Sequence, residues 1–303
     1  MRRRFSTTKT NWLHYIWKRK ELLFLALAGF LIAIAGLLIT SDIWRFWGDL
    51  PPTERSQAGI AMFQTIATIT GGIAIFWNIV LARRQLLATL DQNITNRFEQ
   101  AVGYLGDTQI PVRIGAIYAF ERIARDSTKD HWMIVEVLTT FIVDQCAHRE
   151  LDENFKDTFP KDAQAAIAVL GRRAQDKDPA GAVVRLNKTN LSGAIFSNLN
   201  FKDAHLIWSD LTDASFFMAN LENANFYASK LIGTVFYKAV LRNSELVECD
   251  LSGADLRECD LSGARIHQAN FTGSKGLNVQ QIMTTQGWQE AIFDESIKAQ
   301  LQT

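Results

Sequence analysis

At 303 residues, with Lys+Arg and Asp+Glu balanced at 32 each, the chain has room for two or three domains and carries no formal net charge. That balance excludes a bulk electrostatic pull toward nucleic acid or anionic lipid. The 3 cysteines, Cys146, Cys249 and Cys259, have no metal-ligand spacing and make no disulfide framework, which suits a reducing compartment.

Residues 1–21 form a basic tail that includes Arg2, Arg3, Arg4, Lys18, Arg19 and Lys20. An apolar run follows at 22–40, in which Thr40 is the only polar side chain. At ~1.5 Å per residue it reaches about 28 Å, close to the hydrocarbon thickness of a bilayer. It is too long for a cleaved leader, and Ser41, Asp42, Ile43 and Trp44 offer no small-residue cleavage pattern. A second, weaker block at 58–82 carries Gln64, Thr65, Thr68, Thr70 and Asn78 but no charge. Residues 22–82 therefore read as a hairpin of two transmembrane helices without an ion path. Arg83, Arg84 and Arg97 follow the second block, whereas the loop between the blocks holds only Arg45 and Arg55. The positive-inside rule then places both termini in the cytoplasm, for a multi-pass protein of a cell's inner membrane. Trp44, Phe46 and Trp47 suit an aromatic belt on the far side.

Residues 83–175 read as a helical stalk and a small helical region. Leu87, Leu90, Ile94, Phe98, Ala101 and Leu105 keep helical spacing until Gly103 and Gly106 interrupt it. Pro111 starts a helix that runs to about Asp126, and Ser127 or Thr128 caps the next. The pair is HEAT-like, and 162–173 reads as one more short helix. His131 with Glu136, and His148 with Glu150, are the only pairs that invite acid–base or metal chemistry. Neither has a second histidine at ligand spacing, so solvated or capping roles are expected, with no enzyme activity, metal or cofactor. Residues 176–181 (Asp-Lys-Asp-Pro-Ala-Gly) read as a linker.

From Leu186 to Phe271, 18 successive fifth positions are all Leu, Phe or Ile. Two residues before each lies a second register, mostly Ala, Ser, Thr or Cys, that includes Cys249 and Cys259. Five is neither a helical nor a simple strand period. A large and a small apolar residue every five positions describe a chain that makes one side and turns a corner, so four sides close a coil of twenty. Gly193, Asp213, Gly233, Gly253 and Gly273 share one corner at that spacing. Their residue types tolerate positive φ. Phe196, Phe216 and Phe236 should stack inside as a ladder.

This pattern resembles the pentapeptide-repeat family, whose motif A(D/N)LXX stands here as Ala219-Asn220-Leu221, Ala224-Asn225-Phe226 and Ala254-Asp255-Leu256. The resemblance implies a right-handed quadrilateral β-helix over 182–275. Val112 to Phe141 resembles a segment of bacterial membrane-anchored members. Residues 276–303, with Trp288 and Phe293, are expected to form a C-terminal helical cap. The fold class is thus mixed: two transmembrane helices, a small helical region and a β-helix.

The expected function is a membrane-anchored scaffold presenting a rigid rod to a cytoplasmic protein. Its partners are the lipid bilayer and a protein not identified by the sequence, a second copy of the chain included. The alternative is a DNA mimic that binds topoisomerase, as the family resemblance allows. It needs a strongly acidic rod, and residues 184–273 hold ten acidic against eight basic side chains, a net of −2. Only a local stretch, Glu245 to Asp260, is acidic, so nucleic-acid mimicry and nucleic-acid binding are disfavoured. The residues flanking each inward Leu or Phe should point outward. On two opposite sides they are apolar: Ile207, Trp208, Tyr227 and Val247 on one, Ile195, Phe217, Met218, Val235 and Tyr237 on the other. These nine are the candidate protein-interaction surface.

Overall fold

The computed structural model describes residues 51–147 and 158–302. The expected first membrane segment (22–40), the aromatic loop residues, His148 and Glu150 lie outside them. The chain divides into two compact units, Met1–Leu86 and Leu87–Thr303.

Helix α1 (Pro52–Leu105, 54 residues) contains the second apolar block. Among the described residues it is the one helix long and apolar enough to cross a membrane, and none of its most apolar stretch is buried. Thr65, Thr68 and Thr70 each donate to the carbonyl four residues back at 2.8 Å, so these hydroxyls are satisfied within the helix.

In the second unit, α2 (Ile110–Asp126) and α3 (Thr128–Cys146) are separated by Ser127 alone. Ser127 closes one helix through its N–H to Ile123 O and opens the next by accepting from the Asp130 N–H. Their apolar faces, with Ile117, Phe120, Ile134 and Leu138, bury against α4 (Lys161–Gly171). The linker stretch 176–181 is pinned at its start. A 3-10 turn (Gln175–Lys177) leads into Asp178, whose carboxylate receives Arg173 Nε at 3.0 Å and lies 2.9 Å from His131 Nε2. Lys177 Nζ donates to Arg125 O at 2.7 Å.

The repeat folds into a quadrilateral β-helix. Every parallel bridge from Arg185↔His205 to Asp255↔Lys275 joins residues twenty apart, one coil apart on the same side. At each corner the second residue after the inward Leu or Phe takes positive φ, from +52° at Ala228 to +73° at Gly263. The inward Leu and Phe side chains are almost wholly buried. Phe196, Phe216 and Phe236 stack as the period requires, at 4.5 and 5.3 Å between centroids. At three of the small inward positions a hydroxyl caps a carbonyl of the coil before: Ser209 Oγ to Leu186 O, Ser229 Oγ to Leu206 O and Thr234 Oγ1 to Leu211 O, at 2.6 to 2.9 Å.

Both ends of the coil are closed. At the N-terminal edge α4 acts as a surrogate strand. Gln164 accepts from the Ile195 N–H at 2.9 Å and donates to the Ile195 carbonyl at 2.7 Å, while Gly171 O accepts from the Asn200 N–H. The approach is close enough that a Cβ on Gly171 would come 2.5 Å from Leu199 Cβ, so only glycine fits. At the other end the segment expected as a helical cap combines short helices with an irregular further coil. Gln286 and Ile292 extend the ladder opposite Arg265 and Asn270, and Phe293 stacks on Phe271 at 5.4 Å. The segment's helices are α5 (Val279–Ile282), a 3-10 turn (Trp288–Glu290) and α6 (Glu295–Leu301). Here the edge amides of Ile266 and Phe271 donate to the backbone carbonyls of Gln286 and Ile292.

Candidate protein-interaction surface

The β-helix brings the nine outward residues into two stacked groups. On one side Trp208 packs edge-on to Tyr227, with centroids 6.2 Å apart, and Ile207 and Val247 lie half-buried beside them. Lys188 Nζ sits 4.9 Å over the Trp208 ring. On the opposite side Phe217 and Tyr237 are 5.7 Å apart, with Val235 half-buried. Lys238 Nζ and the Arg257 guanidinium lie over the Tyr237 ring at 5.1 and 5.3 Å.

Three of the nine are strongly exposed: Trp208 at 55 %, Ile195 at 53 % and Met218 at 50 %. Trp208 and Met218 occupy left-handed corners, with φ of +56° and +55°. Of the other sixteen corners, ten carry Asp, Asn or Gly, and Lys188, Ala228, Lys238, Glu248, Glu258 and Gln268 are the rest. A bulky side chain there costs about 1–2 kcal/mol of backbone strain. Ile195 stands at the edge that Gln164 closes. The Trp208 side borders a cleft also lined by Cys146 and Ala147 at the end of α3. Spacing located these apolar residues, but the partners of the two tyrosines were not apparent from it. Tyr227 Oη donates to Glu248 and Tyr237 Oη to Glu258, at 2.8 and 2.9 Å. Each pair is twenty-one residues apart, a signal visible only once the coil length is known.

The histidine and cysteine candidates have ordinary structural roles. His131, expected at the surface, is buried between Ala124 O and Asp178. Glu136 accepts from the Trp132 indole N–H at 2.8 Å rather than meeting His131. Burial pushes the Cys249 and Cys259 thiols up to about 12. Cys249 Sγ lies 2.9 Å from Phe226 O, in the same place as the inward hydroxyls. Among the described residues no group of three His, Cys, Asp or Glu side chains could hold a metal ion.

The acidic stretch is largely neutralised on the surface. Glu245 pairs with Arg265 at 2.6 Å, Asp255 with Arg257 at 2.6 Å, Glu258 with Lys238 at 3.5 Å, and Asp260 with Arg242. The Arg257 hydrogen bond lowers the Asp255 pKa. Asp260 is lowered too: burial opposes ionisation, but bonds from Ser262 and Arg242 outweigh it.

The five-residue frame, the left-handed corners and the twenty-residue ladder coincide with the family model described as pentapeptide repeats, which matches eight copies over residues 184–216, 219–257 and 236–273. Residues 184–273 are a pentapeptide-repeat domain. No curated protein sequence is significantly similar to the chain. Among solved structures, a pentapeptide repeat protein from Nostoc Pcc 7120 is 24% identical over 34% of this chain and 84% of its own, with a TM-score of 0.29. HetL, a pentapeptide repeat protein involved in heterocyst differentiation regulation from Nostoc sp. Strain PCC 7120, is 25% identical over 31% of this chain and 56% of its own, with a TM-score of 0.16. QnrB1, a plasmid-mediated fluoroquinolone resistance protein, is 17% identical over 40% of this chain and 88% of its own, with a TM-score of 0.15. In this pentapeptide-repeat domain the inward large positions are all Leu, Phe or Ile, whereas the outward positions vary from repeat to repeat.

Proposed function

We propose that the chain is a membrane-anchored scaffold whose pentapeptide-repeat domain docks a cytoplasmic protein through its apolar sides. The observation that carries this reading is the pair Trp208 and Met218. Both are large, half or more exposed, and placed at corners where Asn or Gly would fold with less strain. Their neighbours Tyr227, Phe217 and Tyr237 are aromatic, a residue class that interface cores favour. Anchoring is supported by α1, whose Ile60, Phe63, Ile66 and Ile69 are exposed among the described residues, and by the arginines after Ala82. A DNA-mimic role fits less well, because Glu245, Asp255, Glu258 and Asp260, four of the six carboxylates of the 245–260 stretch, are paired with Arg or Lys.

The test exploits the strain. Trp208→Asn with Met218→Asn places a favoured residue at each corner, so the melting transition should stay within about 1 kcal/mol of the parent. The same double variant should lose a partner recovered from detergent-solubilised native membranes. Unchanged recovery would remove the docking claim. Orientation is tested separately in a cysteine-free background. Ser56→Cys should react with a membrane-impermeant thiol reagent in intact cells and Ser192→Cys should not.

A further inference from the structure

A trough between α1 and α2, of about 590 Å³, plays no part in the scaffold reading. Its floor is small: Ala101 from α1, and Gly115, Ala116 and Ala119 from α2. Tyr104 and Tyr118, both about half exposed, wall it. Arg97 and Arg122 also line it, with Gln100, Val112 and Ile123, and among the described residues no carboxylate takes part. The helices are joined by the short turn 106–109, and Phe98 meets Phe120 with centroids 5.5 Å apart. They therefore run antiparallel past the trough, which sets Arg97 across from Arg122 at the end away from the turn. Both arginines are exposed, and neither has an ion-pair or hydrogen-bond partner among the described residues.

Gly115 adds an independent clue. It lies inside α2, where glycine weakens a helix, and a Cβ there would meet nothing within 4 Å. Among the described residues nothing requires that position to be bare. A floor of Gly and Ala is what lets another helix approach closely. From Val112 to Ile123 the trough follows about 16 Å of α2, roughly three helical turns, at ~1.5 Å per residue.

We propose that the α1–α2 trough is a docking groove for an amphipathic helix of another protein, which lays small and leucine side chains on the Gly115 floor and brings a pair of carboxylates to Arg97 and Arg122. The unpaired arginine pair sets the charge of the occupant, and the length and bare floor set its shape. The site is distinct from the two sides of the β-helix, so Trp208→Asn should leave it unaffected.

The probe is a fluorescein-labelled, 18-residue designed helix with an Ala/Leu face and a Glu pair near one end, titrated against the full chain in detergent. A second peptide carries Lys in place of the Glu pair. The Glu peptide should bind at least about tenfold more tightly than the Lys peptide, and Arg97→Glu with Arg122→Glu should reverse that order. Gly115→Leu fills the trough while improving helix propensity, so it should abolish binding of both peptides without lowering the melting temperature. Equal binding of the two peptides, or binding indifferent to Gly115→Leu, would overturn the proposal. Displacement of the peptide by tripolyphosphate at similar concentration, with Gly115→Leu still binding that anion, would assign the arginines to a small anion instead and also overturn it.

Discussion

The β-helix and the helical bundle that closes its N-terminal edge are built on opposite principles. In the β-helix each contact is made again one coil later: the Phe196–Phe216–Phe236 ladder, the hydroxyls on the carbonyls of the coil before, and bridges at a constant spacing of twenty. In the bundle the decisive contacts occur once. Arg113 Nε reaches the buried Asp162 at 2.7 Å, and Asp178 holds His131 and Arg173 together. The repeated region draws its stability from many equivalent apolar steps, and the unrepeated one draws its uniqueness from a few polar locks that tolerate no loss.

Breaking the ladder at its centre should give the largest effect. Phe216 touches Phe196, Phe226 and Phe236, and its replacement by Ala leaves a cavity walled by rigid rings. The cost should be about 3–5 kcal/mol in denaturant unfolding of the full chain. Phe271→Ala, next to the irregular last coil, should lose less, because the end of a solenoid relaxes more freely. A larger loss at Phe271 than at Phe216 would mean that the end coil, not the ladder, limits stability.

Breaking a lock should cost slightly less but show a different signature. Arg113→Leu leaves Asp162, at 1 % side-chain exposure, without its cation, and should destabilise by about 3 kcal/mol. Adding Asp162→Leu should restore most of that loss, since the buried charge is then gone. No second substitution could rescue Phe216→Ala in that way. Failure of the double variant to recover would show that the pair acts by packing alone.

The smallest effect concerns the thiols. With folded pKa values of about 12 caused by burial, Cys249 and Cys259 should stay protonated and unreactive toward disulfide reagents at pH 8 until the coil opens. Unfolded thiols titrate near 8.5, so the two cysteines leave stability unchanged below that pH and weaken it as pH rises toward 12. Rapid labelling of either cysteine at pH 8 in the native chain would show that the lower coils breathe.

What could be read in advance follows the same division. A register repeated eighteen times averages out its own exceptions, so the direction of each Leu, Phe and corner residue was legible, including the sides on which Trp208 and Phe217 fall. Gln164 standing in for a strand was not. It is a single side chain whose role depends on where α4 lands. His131 looked like a surface residue because its partner, Asp178, lies forty-seven positions away in a stretch that reads as a loop. The last coil was hidden because its bridges, Arg265 to Gln286 and Asn270 to Ile292, slip from the period of twenty. Whether an outward apolar group is covered depends on such unrepeated contacts, so spacing alone could not decide it.

The constant twenty-residue bridge makes length and angle separate, quantised variables of this molecule. Inserting one whole coil between Leu241 and Leu261 would lengthen the rod by about 4.8 Å and leave both closures facing as they do now. Inserting a single five-residue unit there would instead rotate everything beyond it by a quarter turn. Tyr237 would keep its bearing while the final coil, with Phe271 and Phe293, swung to the adjacent side. The protein can therefore be tuned like a combination lock: coils set how far a surface stands from the bundle, and single repeats set which way it looks.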